Sequence, residues 1–229
     1  MTLNVLSAGA AKALVERVAD REGIELHAEF GTVGAMRERL DGGAACDIIV
    51  LTQPMIAALV ADGVVDAASV TALGRVHTGV AVPSAAQSAH VDTTASFKKL
   101  LNAASSIYLP DPVRSTAGIH CMKVFTALGL VTSHSARFKS FVNGAIAMRA
   151  LAESCETAAV GITQCSEIAY TEGVRLIGAL PSEFALATVY SVAITTNAAN
   201  LASAARLINA LGAVRTSAIR IEAGFERVE

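Results

Sequence analysis

Tryptophan is missing from this chain, and aromatic side chains supply only 4% of its 229 residues. Alanine, valine and leucine must fill the core instead, which suits helices packed closely on a sheet. Charged residues are sparse at 17% against 53% hydrophobic ones, and that balance excludes a disordered chain. The formal net charge is −2, with Lys and Arg scattered along the sequence. No basic face is available to neutralise phosphates, so nucleic acid is not expected as a partner. Nowhere does the chain approach the roughly 20 uninterrupted apolar residues of a membrane span, so no membrane insertion is expected.

Other absences narrow the chemistry. Cys46, Cys121, Cys155 and Cys165 contain no CxxC pair, and His27, His77, His90, His120 and His134 contain no HxxxH pair. A metal site is therefore not expected, and the cysteines read as buried free thiols. There is no GxGxxG, no GxxxxGK[ST] and no GxSxG. Nucleotide cofactors and acyl transfer lose their support, and no cofactor is expected. Residues 1–9 carry no basic leader and no cleavage-like stretch. Two readings follow: a cytoplasmic chain, or a periplasmic one from which an export signal was removed and a start methionine added.

What is present alternates between strand and helix. Leu3–Ser7, Glu25–Phe30 and Asp47–Leu51 read as strands, each followed by a helix: Lys12–Arg21, a second through Leu40, and Pro54–Asp62. Gly79–Val82 is a strand ending at Pro83, and 84–95 is a polar connection. A second set then begins with a helix at Ser96–Ala103, strand Ser106–Leu109 and helix Ala117–Leu128. Helix Ala145–Ala152, strand Ala158–Ile162 and helix Glu167–Thr171 continue it. Val174–Ile177 and Thr188–Ile194 are late strands, and Leu201–Leu211 and Thr216–Ala223 closing helices. Such alternation implies parallel pairing with right-handed crossovers.

In sheets of this kind ligands gather beyond the carboxyl ends of strands, where helix N-termini offer unpaired N–H groups. Four turns qualify: Ser7-Ala8-Gly9-Ala10, Gly31-Thr32-Val33-Gly34, Arg114-Ser115-Thr116-Ala117-Gly118 and Ile162-Thr163-Gln164. Small residues let a ligand approach the backbone. Ser7, Thr32, Ser115, Thr116, Thr163 and Gln164 add side-chain donors, and Arg114 adds a guanidinium able to grip an anion or to pair with Asp111. Each turn alone is equally an ordinary cap. His120 reads as standing in a first helical turn, as a proton carrier or a surface histidine. Asp47 reads as a strand-start residue bonded to the preceding loop, and Glu167 and Tyr190 as polar groups near strand ends.

In order along the chain, Val5-Leu6-Ser7-Ala8-Gly9-Ala10, Phe30-Gly31-Thr32-Val33-Gly34-Ala35-Met36, the run from Leu40 to Ile48, and Pro112 to Gly118 form a set. That set resembles the periplasmic molybdate-binding proteins of ABC importers, and more broadly the type 2 periplasmic-binding-protein-like fold. The resemblance implies an α/β protein of two lobes, each a mostly parallel sheet flanked by helices. Lobe one would comprise 1–80 and 190–229 and lobe two 81–189, with two hinge strands near Gly79–Val82 and Thr188–Ile194 and closure on ligand. It further implies a monomer that binds a small anion in an interlobe cleft, with an importer as partner if exported. The family's two oxyanion-binding serines fall at Ala10 and Val33 here, and its tyrosine at Thr163. Fewer hydroxyl donors favour a carboxylate over a tetrahedral oxyanion, since each charge-assisted hydrogen bond contributes about 1.5–3 kcal/mol. Aconitate isomerases look like relatives of the same family, which makes a proton shift in an unsaturated polycarboxylate the alternative function, with His120 as its acid–base group. A regulatory effector domain is the third reading, though the chain contains no helix-turn-helix segment.

Overall fold

The computed structural model describes residues 2–87 and 90–227. In chain order the first elements are β1 (Leu3–Ala8), α1 (Lys12–Glu22), β2 (Leu26–Gly31), α2 (Val33–Asp41), β3 (Ile48–Thr52) and α3 (Gln53–Ala61). There follow β4 (Thr71–Pro83), α4 (Thr94–Ala103), β5 (Ile107–Pro110), α5 (Thr116–Ala127), β6 (Phe138–Phe141) and α6 (Gly144–Glu153). The chain ends with β7 (Val160–Gln164), α7 (Cys165–Ala169), β8 (Val174–Ala179), β9 (Ala187–Ile194), α8 (Leu201–Gly212) and α9 (Ser217–Glu222). Two compact units result, one of Met1–Val76 with Thr188–Glu229, the other of His77–Ala187.

In unit 1 the strand order is β2-β1-β3-β9. β1 lies parallel to β2 and to β3, whereas β9 runs antiparallel to β3 with Ile48 opposite Ile194. β3 is buried along its whole length, which accounts for its unbroken apolar run. Leu6, Ile49 and Leu51 pack against Met36 of α2 and Ile56 and Leu59 of α3. Burying an aliphatic side chain of this size contributes about 1.5–3 kcal/mol. α1 buries Leu14, Val15 and Val18 and packs on α8 and α9. It stops at Gly23, whose φ of 63° is the left-handed cap that only glycine adopts without strain.

Unit 2 orders its strands β4-β7-β5-β6, with β8 also paired to β4. β7, β5 and β6 are parallel, and β4 is antiparallel to both β7 and β8. One face of this sheet, with Val80, Leu109, Val160 and Ile162, packs on Phe97 and Leu101 of α4 and Cys121, Val124 and Phe125 of α5. The other face, with Ala81 and Tyr108, is covered by Ala147, Met148 and Leu151 of α6 and Ile168 of α7.

The sheets are mostly parallel, as expected, but β9 runs antiparallel to β3, and β4 antiparallel to β7 and β8. β4 starts at Thr71, well before Gly79, because Arg75 and His77 break its apolar run. β6 was not foreseen: Phe-Lys-Ser-Phe is short and only half-buried. Ser88 and Ala89, inside the expected 84–95 connection, lie outside the described residues.

Candidate functional site

In unit 1 the register of β1 on β2 sets Ser7 opposite Phe30 and Ala8 opposite Gly31. The two turns that follow these strands are thereby neighbours. After β1 comes a single 3-10 turn, Gly9–Ala11, and neither it nor α1 has a side-chain cap. Gly9 and Ala10 are buried in that turn. Ser7 is fully buried and its Oγ donates to Ala8 O at 3.1 Å. Thr32 caps α2, its Oγ1 accepting from Ala35 N at 3.2 Å, and Val33 beside it is half-buried.

In unit 2 the parallel register of β5 on β7, Ile107 opposite Val160, brings the ends of both strands together. The loop after Pro110 is organised by Asp111, whose Oδ1 accepts from Val113 N at 2.7 Å and Arg114 N at 3.0 Å. Those backbone donors, with the Arg114 charge, hold its carboxyl below the usual range. Arg114 is exposed at the start of the turn. Ser115 caps α5, with Gly118 N at 3.4 Å from its Oγ. Thr116 is half-buried and Ala117 and Gly118 are buried. A Cβ on Gly118 would press on the carbonyl oxygens of Asp111 and Pro110, so only glycine lets α5 start this close to β5.

The last expected turn is instead the end of a strand. Thr163 and Gln164 belong to β7 and are buried. Thr163 Oγ1 donates to Glu167 Oε2 at 2.5 Å. Glu167 is itself buried, and burial pushes its carboxyl up to about 7 against the opposing hydrogen bonds from Thr163 and the backbone of Gln164 and Ala145. Gly144 opens α6 against this pair, since a Cβ there would strike both Glu167 and Thr163. Two hydroxyls that sequence reasoning passed over, Thr78 and Ser166, are 1% exposed and have no hydrogen-bond partner among the described residues. Nothing in the local sequence marks them, because their burial depends on which strands pair.

His120 stands in the second turn of α5, one turn later than expected, with Nε2 2.8 Å from Phe184 O. Tyr190 is buried edge-on to Phe225. Asp47 does not bond the preceding loop. Its Oδ2 accepts from Asn4 N at 2.8 Å and Asn4 Nδ2 at 3.3 Å, and its Oδ1 from Ala199 N at 2.7 Å and Asn200 N at 3.2 Å. It is a structural tie. Cys46 and Cys121 are buried, and burial pushes both thiols up to about 12. Cys155 and Cys165 depart from expectation: Cys155, just past the end of α6, is exposed, and Cys165, at the start of α7, is half-buried. No group of three His, Cys, Asp or Glu able to hold a metal ion occurs among the described residues.

A sequence-family profile described as bacterial extracellular solute-binding protein matches residues 3–226. The chain belongs to this family. No curated protein gives a significant sequence match. Among solved structures, this solute-binding protein is similar to the periplasmic molybdate-binding protein of Azotobacter vinelandii. The TM-score is 0.79 at 19% identity, over 99% of this chain and 100% of that one. The sulfate-binding protein of Mycobacterium tuberculosis is similar at TM-score 0.73 and 17% identity, over 100% and 88%. Peb3 of Campylobacter jejuni is similar too, and its L-phospholactate-bound form gives TM-score 0.68 at 13% identity, over 99% and 100%. At these identities the likeness establishes the fold, the mixed α/β architecture of periplasmic binding proteins. No helix among the described residues of the solute-binding protein is long and apolar enough to cross a membrane.

Proposed function

We propose that this solute-binding protein captures a small oxygen-rich anion, a carboxylate in preference to a tetrahedral oxyanion, for delivery to an ABC importer. The observation that carries the reading is the side-by-side pair of turns in unit 1. There Ala8 pairs with Gly31 and the turn after β1 has no side-chain cap. The start of a helix, with the positive end of its dipole, is suited to an anion. Support also comes from the solved relatives, which include molybdate-binding and sulfate-binding proteins and one holding L-phospholactate. What these solutes share is an anionic oxygen. Ala10 and Val33 provide no hydroxyl, which lowers the number of donors for a tetrahedral oxyanion; unit 1 keeps its helix starts and Thr32 for a carboxylate, and unit 2, taken by itself, has Ser115 and Arg114 at the start of α5.

The test is a thermal-shift screen with molybdate, tungstate, sulfate, phosphate, malate, citrate and trans-aconitate. An anion present at 100 times its dissociation constant stabilises the folded state by about 2.7 kcal/mol. Carboxylates are expected to raise the melting temperature more than molybdate does, and trans-aconitate is expected to be recovered unconverted. Arg114→Ala should then weaken the carboxylate by about 1.5–3 kcal/mol in calorimetry. Stabilisation by molybdate and tungstate alone would reverse the preference, and conversion to cis-aconitate would make the protein an isomerase.

A further inference from the structure

Thr78 of β4 lies opposite Gln164, the last residue of β7. Opposed residues of an antiparallel pair send their side chains to the same face of the sheet. Val80 and Ile162, two residues along each strand, identify that face as the one covered by α4 and α5. Since β5 and β7 are parallel neighbours, the loop after Pro110 and the N-terminus of α5 stand at the same end. Thr78 is therefore on the face and at the end where Ser115 and the first N–H groups of α5 are found.

The backbone of Thr78 is fully used: its N–H donates to Leu186 O at 2.9 Å and its carbonyl accepts from Leu180 N at 3.0 Å. Its hydroxyl is not used. At 1% exposure, Oγ1 has no partner among the described residues. Burying a hydroxyl without a hydrogen bond is unfavourable, and valine has the same shape without that penalty. A strand that needed only packing would gain from valine here. We propose that Thr78 contacts the ligand, its Oγ1 donating to an oxygen of the bound carboxylate or oxyanion. This rests on the binding function proposed above.

Calorimetric titration of the intact protein, Thr78→Val and Thr78→Ser with molybdate, sulfate, citrate and trans-aconitate tests this, with melting temperatures measured alongside. Thr78→Val should bind the responsive anion about tenfold to a hundredfold more weakly. Its unliganded melting temperature should be equal to or above that of the parent, and Thr78→Ser should bind within about threefold of it. Equal affinity in Thr78→Val overturns the assignment while leaving the binding function intact. A lowered melting temperature with unchanged affinity overturns it also, and makes the hydroxyl a structural partner. If none of the four anions binds the parent protein, the binding function fails and the role of Thr78 fails with it.

Discussion

Glu167 begins in water with an ordinary carboxyl and ends, after folding, among Thr163, the N–H groups of Gln164 and Ala145, and Gly144. Desolvation outweighs these donors and raises it from 4.5 to about 7. Between those values the folded state holds a proton that the unfolded state has released, so stability falls as pH rises through the window. Below the window both states are protonated, and above it the full loss, about 3 kcal/mol, is in place. Glu167→Gln mimics the protonated group. Compared with that variant, the parent should lose melting temperature steadily from pH 5 to pH 7.5. Parallel pH profiles for the two proteins would show that Glu167 is ionised in the fold throughout.

At the scale of elements, α5 is set by contact rather than by propensity. Gly118 sits one turn into a helix, where alanine is normally better by about 1 kcal/mol. Its missing Cβ is what allows the carbonyls of Pro110 and Asp111 to lie against the helix. Gly118→Ala should therefore destabilise, by about 1–3 kcal/mol, the usual effect of overpacking. A lower urea midpoint with an unchanged slope would be the sign, and a raised midpoint would show that α5 is free to shift. The elements that could be read in advance are those whose pattern is self-contained. β3 opens on a continuous apolar run, β1 and β7 are rich in apolar residues, and α1 and α8 have apolar stripes at helical spacing. β6 and the first half of β4 could not be read, because their apolar residues alternate with Lys139, Arg75 and His77 and gain meaning only beside a partner strand. The same holds for the candidate site. Ser7, Thr32 and Ser115 announce themselves by standing at turns, whereas Thr78 is one threonine inside a strand until Gln164 is placed opposite it. Thr163 looks like a turn residue for a related reason, since nothing local shows that Gly79 of β4 pairs with it in the sheet.

At the scale of the whole molecule, unit 2 is one uninterrupted stretch, whereas unit 1 needs both ends of the chain. β9 completes the unit 1 sheet by pairing with β3, Ile49 opposite Ala193. Unit 2 closes its sheet with nearer partners, Ile107 against Phe138 and Val160. Loop closure favours the shorter connection, and domains rich in near contacts form faster. Refolding followed by pulsed hydrogen exchange should show the amides of β5, β6 and β7 protected before those of β3 and β9. Earlier protection of Ile48–Thr52 would mean that unit 1 organises the chain despite its split.

Asp47 has a consequence for how the protein is made. Its two oxygens receive Asn4 from the front of the chain and Ala199 and Asn200 from near the back. Until the ribosome has released that last stretch, the carboxylate has a charge to bury and only half of its donors. A product cut short before Ala199 should therefore be less stable than the finished chain, and limited proteolysis should cleave it faster.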